Sequence, residues 1–517
     1  MKPRLDKKIV AVLIGMFALG LILRFINFRE SVYFGYDEAR DAFDSQNIYL
    51  AKDLKISGAP ASALIGINHG PVYLYLIGPL YLLGKGDPLF VSAVFRIINA
   101  LGIFLIFYLG KLYFNPKVGF LAGFLFAVSY EQYIYAIYTG NPSLSDIFWI
   151  VLFIGAGIVY RFKEKRILGL FLMFFGATAI FQFDLILSYS LATLGIILFL
   201  LRRKLKGLKL SDWIKAIFLG SAPAYTYPLA EIKNNFLGVK TLYLALAQKS
   251  PFLTQGENYL MIFWRNFLGL FRDNILDFSL SGFWITLFFF LLLLFLIFRS
   301  RKEEPKRLII VWIGSILFVL ATRGFMPYYS YAGIGIGVIA GFSYLLFKVY
   351  QKNKFAAGIL VLIITLSNGQ KILPQSAKAL IVEIKAQPGM KLVDEIKLVN
   401  KTYEYAEGEK FTIRVTSMPY RVQTVWAYLY DQYGLRKYGF VPYLEGGNTL
   451  GYPGELPVPM KGTTCVRYLI REPVRGIPEV LINNDVYEEN LFSDVVKEEW
   501  VGEFVLQVRK AKDSDCY

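Results

Sequence analysis

Cysteine and histidine are nearly absent from this 517-residue chain: it has two of the first, Cys465 and Cys516, and one of the second, His69. So few cysteines exclude a disulfide scaffold and any cysteine-rich zinc or iron–sulfur site. A lone histidine excludes a histidine cluster around a metal. Charge is scarce too. Charged residues make up 18% of the chain, against about 25% in an ordinary soluble domain, too few to cover the several water-facing domains that the length suggests. With 55% hydrophobic residues, neither a disordered chain nor a charge-rich coiled coil fits. Acids are outnumbered, leaving a net charge of +17. In a soluble protein that excess would point to nucleic acid; in a membrane protein it reports basic cytoplasmic loops.

What the chain does have is long apolar runs. A bilayer core takes about 20 apolar residues as a helix, and such runs recur at 9–27, 89–110, 118–136, 144–160, 167–183, 185–201, 213–229, 282–298, 308–322, 330–347 and 355–373. The expected fold is therefore an α-helical polytopic membrane protein with about eleven transmembrane helices, whose first run is a retained anchor rather than a cleaved signal peptide. With the N-terminus cytoplasmic, the alternate connections at 111–117, 161–166, 202–212, 299–307 and 348–354 are short and basic, as the positive-inside rule requires. Together with residues 1–8 they hold 23 Lys and Arg against five acids, a net of +18. That accounts for the whole excess and removes the need for nucleic acid as a partner.

On this topology the outer loops are 28–88 and 230–281, and residues 374–517 form a separate extracytoplasmic α/β domain after the membrane domain, 1–373. Helices are expected at 390–405 and 421–433, strands at 410–417, 463–471 and 503–509, with a Gly/Pro-rich loop at 446–462. Cys465 and Cys516 then share an oxidising compartment in which they can pair.

The first outer loop opens on Asp37-Glu38-Ala39-Arg40-Asp41, followed by Asp44. In a helix Asp37, Asp41 and Asp44 share a face, where carboxylates raise one another's pKa, bind a divalent cation or act as a general base. The competing reading is that Asp37 and Glu38 cap a helix after Gly35. His69 precedes Gly70-Pro71 and a short aromatic helix; it is either a functional donor or a turn histidine. Asp146, Arg96 and Asp184 sit at the ends of apolar runs, where an ionisable group is costly unless it faces a polar cavity. Arg323 either binds a phosphate or snorkels.

An N-terminal span, the Asp37-Glu38 pair, His69-Gly70-Pro71 with Tyr73 and Tyr75, and Arg96 entering the second span, in that order, resemble the GT-C glycosyltransferases. Within them the branch of protein O-mannosyltransferases and lipid A aminoarabinose transferases is the most similar. Weaker matches continue through Asn141-Pro142, Tyr227-Pro228 with Glu231, and Pro327-Tyr328-Tyr329, so that the resemblance covers roughly residues 9–347. It implies a GT-C fold in the cell membrane and transfer of a hexose or pentose from a polyprenyl-phosphate donor, dolichyl or undecaprenyl. The acceptor would be a hydroxyl of a protein, lipid or glycan on the outer face, with inversion at the anomeric carbon. Asp37 and Glu38 take the catalytic positions, Asp37 as base. His69, Tyr73, Arg96, Asn141, Asp146, Arg323 and Tyr329 become contacts to substrate or lipid phosphate. The cofactor stays open, with a divalent metal at Glu38 and Asp41 as one option. Two departures stand out: the Trp-Trp-Asp-Tyr-Gly motif of oligosaccharyltransferases is absent, and Gln182-Phe183-Asp184 replaces a Gln-x-His pattern. A transporter or flippase for a lipid-linked saccharide is the rival reading, but no internal repeat of the kind transporters show is present.

Overall fold

The computed structural model describes residues 7–61, 66–247, 259–277, 291, 304–322, 327–375, 387–450, 464–473 and 477–512. The expected span 282–298, Arg323, Cys516 and most of the loop 446–462 lie outside them, apart from Leu291 and residues 446–450.

Seven described helical segments are long and apolar enough to cross a membrane: Lys7–Phe25 (α1), Pro88–Tyr113 (α4), Asn141–Arg161, Lys163–Phe183, Leu185–Leu205, Ile334–Lys352 and Lys354–Pro374. A bent pair, Pro116–Val128 (α5) and Tyr130–Ile137 (α6), turns through 56° and makes an eighth if counted as one span. Local chemistry sets the starts. Asp87 accepts from Leu89 N–H at 2.8 Å with Pro88 in the first turn of α4, and Asn115 accepts from the Lys117 and Val118 amides ahead of α5, the arrangement expected of capped helices with an N-terminal proline. Ser129 makes the bend: its hydroxyl accepts from Gln132 N–H at 3.2 Å and donates to Asn274 at 2.7 Å. Ser145–Arg161 (α7) and Arg166–Phe183 (α8) approach through glycine, since a Cβ on Gly155 would lie 2.6 Å from the Gly169 carbonyl oxygen. Small residues at such crossings let membrane helices pack closely.

The two remaining expected spans are interrupted. Residues 213–229 fall across Leu210–Gly220 (α10), a 3₁₀ turn at Ala222–Tyr225 and Thr226–Lys233 (α11), because Pro223 and Pro228 lack the N–H an uninterrupted helix needs. Residues 308–322 begin as α-helix in Glu304–Gly314 and continue as a 3₁₀ helix over Ser315–Thr322.

The long connection between α1 and α4 carries two helices, Tyr36–Leu50 (α2) and Val72–Leu83 (α3). The C-terminal domain is a five-stranded sheet of order β2-β1-β3-β5-β4, built from Phe411–Thr416 (β1), Tyr443–Glu445 (β2), Val466–Arg471 (β3), Ser493–Val501 (β4) and Phe504–Ala511 (β5). β1 runs parallel to β2 and β3, and β5 is antiparallel to β3 and β4. All six residues of β1 are buried, as suits a parallel strand covered on both faces. Helices Leu392–Ala406 and Thr424–Leu429 form close to where the sequence places them. The helix Glu479–Phe492 and strands β2 and β4 are additions.

Candidate active site

α2 opens where Gly35 ends an extended segment, and Glu38 Oε2 accepts the Gly35 N–H at 3.1 Å. The capping reading therefore holds for Glu38, which is buried. Asp37 is different. Its side chain is 59% exposed and accepts from Arg40 Nη1 at 2.9 Å. The same guanidinium grips Asp41 Oδ1 through Nε and Nη2 at 2.9 and 2.8 Å and lies over the Tyr36 ring. Burial lifts the buried Asp41 carboxyl to about 6 against the pull of Arg40, as desolvation of a charged form requires. Asp44 turns instead to Lys55, 3.4 Å away.

The rest of the first loop ties onto the bundle. Tyr49 donates to the Tyr75 carbonyl and Tyr75 to the Lys55 carbonyl, at 2.7 and 3.0 Å, clasping α3 to α2 and to the loop that follows α2. The Tyr73 hydroxyl, buried, donates to the Thr139 carbonyl in the connection between α6 and α7. Asn141 Nδ2 donates to Phe183 O at 2.6 Å, and Gly70 N–H to Gln182 O at 3.1 Å. His69 Nδ1 accepts from Leu185 N–H at 3.2 Å and stands 3.4 Å from Asp184 Oδ1. The nitrogen serves one or the other: as an acceptor it needs to be bare, as a donor to Asp184 protonated. His69, Tyr73, Asn141 and Asp184 thus converge where the connections from α1 to α4 and from α6 to α7 meet the junction of α8 with Tyr189–Leu205 (α9).

Two residues expected to contact substrate sit elsewhere. Arg96 is fully buried in α4; it donates to Ser31 Oγ at 2.9 Å and to the Arg24 carbonyl, and lies over Phe28. Its neighbour Arg24, also fully buried, donates to Asn99 at 2.8 Å and to the Gly20 and Ala127 carbonyls. These arginines fasten α1, α4 and α5 together. Asp146 is fully buried in the first turn of α7. Tyr329 lies half-buried in the turn Tyr328–Tyr331.

A second polar centre escaped the sequence reading. Asp273, which follows helix Tyr259–Arg272, receives Arg272 at 2.8 Å, Lys371 at 3.0 Å and the Tyr328 hydroxyl at 3.0 Å. Its carbonyl accepts from Glu131 N–H at 2.9 Å, and Asn274 donates to the Glu131 carboxylate. The signal was present: Glu131 and Lys371 are charges inside apolar runs, which belong to a protein interior or a polar cavity. For a metal, no group of three His, Cys, Asp or Glu among the described residues is arranged to hold an ion. Glu38 and Asp41 instead engage Gly35 N–H and Arg40.

The C-terminal domain closes over α2. Leu392 N–H donates to Val32 O at 3.0 Å and Phe34 N–H to Met390 O at 3.2 Å. Tyr428, fully buried, donates to Gly86 O at 2.7 Å, accepts from Gln46 at 3.3 Å and packs edge-on to Phe43. Tyr433 donates to Asp87 at 2.9 Å. Beneath this contact lies Glu395, fully buried; burial pushes its carboxyl well above the usual range, and Glu472 and Glu38 push it the same way.

No protein-family model matches the chain, and no curated protein matches it in sequence. Solved structures do. ArnT from Cupriavidus metallidurans bound to undecaprenyl phosphate is similar over 96% of this chain and 97% of its own, with a TM-score of 0.62 at 12% identity. ArnT in the apo state gives a TM-score of 0.62 over 96% and 98% at 11% identity. The C-terminal domain, which carries little of the sequence resemblance, is included in that overlap. At such identity the likeness speaks for the fold alone: this chain shares with the ArnT structures an arrangement of apolar helices followed by a small sheet domain.

Proposed function

We propose that this protein is a membrane glycosyltransferase that moves a sugar from a polyprenyl-phosphate donor to an acceptor hydroxyl at the outer surface. The observation that carries the reading is the contrast within one helical turn: Glu38 and Asp41 are buried and engaged, whereas Asp37 is 59% exposed and oriented by Arg40. Asp37 is the base. As the acceptor oxygen attacks the anomeric carbon, its proton passes to Asp37, the bond from carbon to phosphate oxygen breaks, and the lipid leaves as its phosphate monoester. Attack opposite the leaving group inverts the anomeric centre. The similar ArnT structure contains undecaprenyl phosphate, which supports a lipid donor of that class here. His69, Tyr73 and Asn141, gathered at the junction of α8 and α9, with Arg323 and Tyr329, are the proposed surroundings of donor and acceptor, whereas Arg96 and Asp146, expected there from the sequence, are fully buried.

An outward C-terminal domain goes with this reading. Cys465 is disulfide-bonded. Disulfides persist in oxidising compartments.

The test is to incubate the purified protein with a panel of polyprenyl-phosphate sugars, with and without EDTA, and to follow release of the lipid phosphate. One donor is expected to turn over. Asp37→Asn is expected to cut that turnover by at least about 100-fold, the range lost with a general base, with an unchanged melting temperature. Full activity in Asp37→Asn would remove the assignment; the EDTA arm decides whether a metal takes part.

A further inference from the structure

Away from the outer loops, the chain turns between α9 and α10 at Gly207, whose φ of +94° suits glycine. The turn folds Trp213 back against the end of α9 and frames an open surface cavity of about 450 Å³ lined by Leu198, Arg202, Arg203, Leu205, Lys206 and Trp213, among others. We propose that this cavity holds the phosphodiester headgroup of an anionic membrane lipid.

The charge is uncompensated there. Arg202 satisfies the Phe199 carbonyl at 2.9 Å and lies over its ring, and Lys204 points to the Tyr160 ring. Asp212, the one acid of the connection, accepts from the Lys209 amide at 3.1 Å. Among the described residues no carboxylate pairs with Arg202, Arg203 or Lys206. A basic helix C-terminus compensates its own dipole, but one cation on the last carbonyls suffices for that, and two more face the cavity. The apolar wall of Leu198 and Leu205, with an indole of the kind that settles at the bilayer surface, suits the glycerol end of a lipid. Ile214 and Phe218, on the same helix α10 as Trp213, are 57% and 64% exposed and offer apolar surface to its acyl chains. Free phosphate shares the anion chemistry but has no use for that surface.

Native mass spectrometry of the full chain in detergent, titrated with phosphatidylglycerol or phosphatidylcholine of the same acyl chains, tests this. One phosphatidylglycerol is expected to bind in preference to phosphatidylcholine, and each of Arg203→Gln and Lys206→Gln to weaken it about fivefold. Lys206→Arg should retain it, and melting temperatures in lipid-free detergent report whether each variant is folded. Equal retention of the two lipids, unchanged retention in folded Arg203→Gln/Lys206→Gln, or displacement of the lipid by millimolar inorganic phosphate would each overturn the proposal.

Discussion

Arg40 is the residue on which the acidic turn depends. It lies between an exposed carboxylate and a buried one, and the sequence shows it only as a member of a charged run. Spacing identified the acids; it did not say which of them reach water, because exposure depends on how α3 and the C-terminal domain cover α2. Two consequences follow. Replacing Arg40 by Gln strands the buried Asp41, a loss of about 3 kcal/mol for a broken buried pair, and frees Asp37 from its orientation; a lowered melting temperature together with reduced turnover is expected. Asp41 has its own signature in pH. Its folded value is about 6 against an ordinary 3.8, so the folded chain holds a proton that the unfolded chain releases. The resulting stability is complete below about pH 3.8 and lost as pH rises through 6, up to about 3 kcal/mol. Melting curves from pH 4.5 to 7.5 should show that decline in the native chain and a flatter profile in Asp41→Asn.

At the level of elements, long apolar runs and alternating strands were legible, and the misses have physical causes. Proline cut the run at 213–229, and the run at 118–136 hid a bend because Ser129 and Glu131 find partners on distant segments, Asn274 and Asp273. The helix Glu479–Phe492 gave no apolar stripe because the face it buries is acidic: Glu489 meets Arg467 at 2.6 Å and Arg414 at 3.1 Å, and Asp485 meets Arg421. β4, exposed along most of its length, reads as polar, a common device on sheet edges. The contact of helix Thr424–Leu429 with α2 turns on one ring. Tyr428→Ala is expected to cost about 3 to 5 kcal/mol through the void left among Phe34, Phe43 and Tyr81, whereas Tyr428→Phe, losing only hydrogen bonds, should cost about 1 kcal/mol. Denaturation of the two variants compares them directly.

For the whole molecule, the distribution of charge gave an orientation before any coordinates, and it has a direct check. A cysteine placed at Lys206 should react with an impermeant maleimide only when the cytoplasmic side is open, and one placed at Lys437 only from the outside; the reverse pattern would invert the proposed topology. The reach of the C-terminal domain was not legible, since hydrogen bonds from Leu392 to Val32 and from Phe34 to Met390 join segments some 360 residues apart in the chain. Those two bonds bear on engineering. A boundary near residue 374 looks in the sequence like a place to cut, yet the backbone leading into the acidic turn borrows its partners from beyond it. Removing the C-terminal domain would leave those amide and carbonyl groups and the inner face of α2 open to water. Chimeras with a foreign C-terminal domain should therefore retain activity only if residues 390–395 and Tyr428 travel with the membrane half.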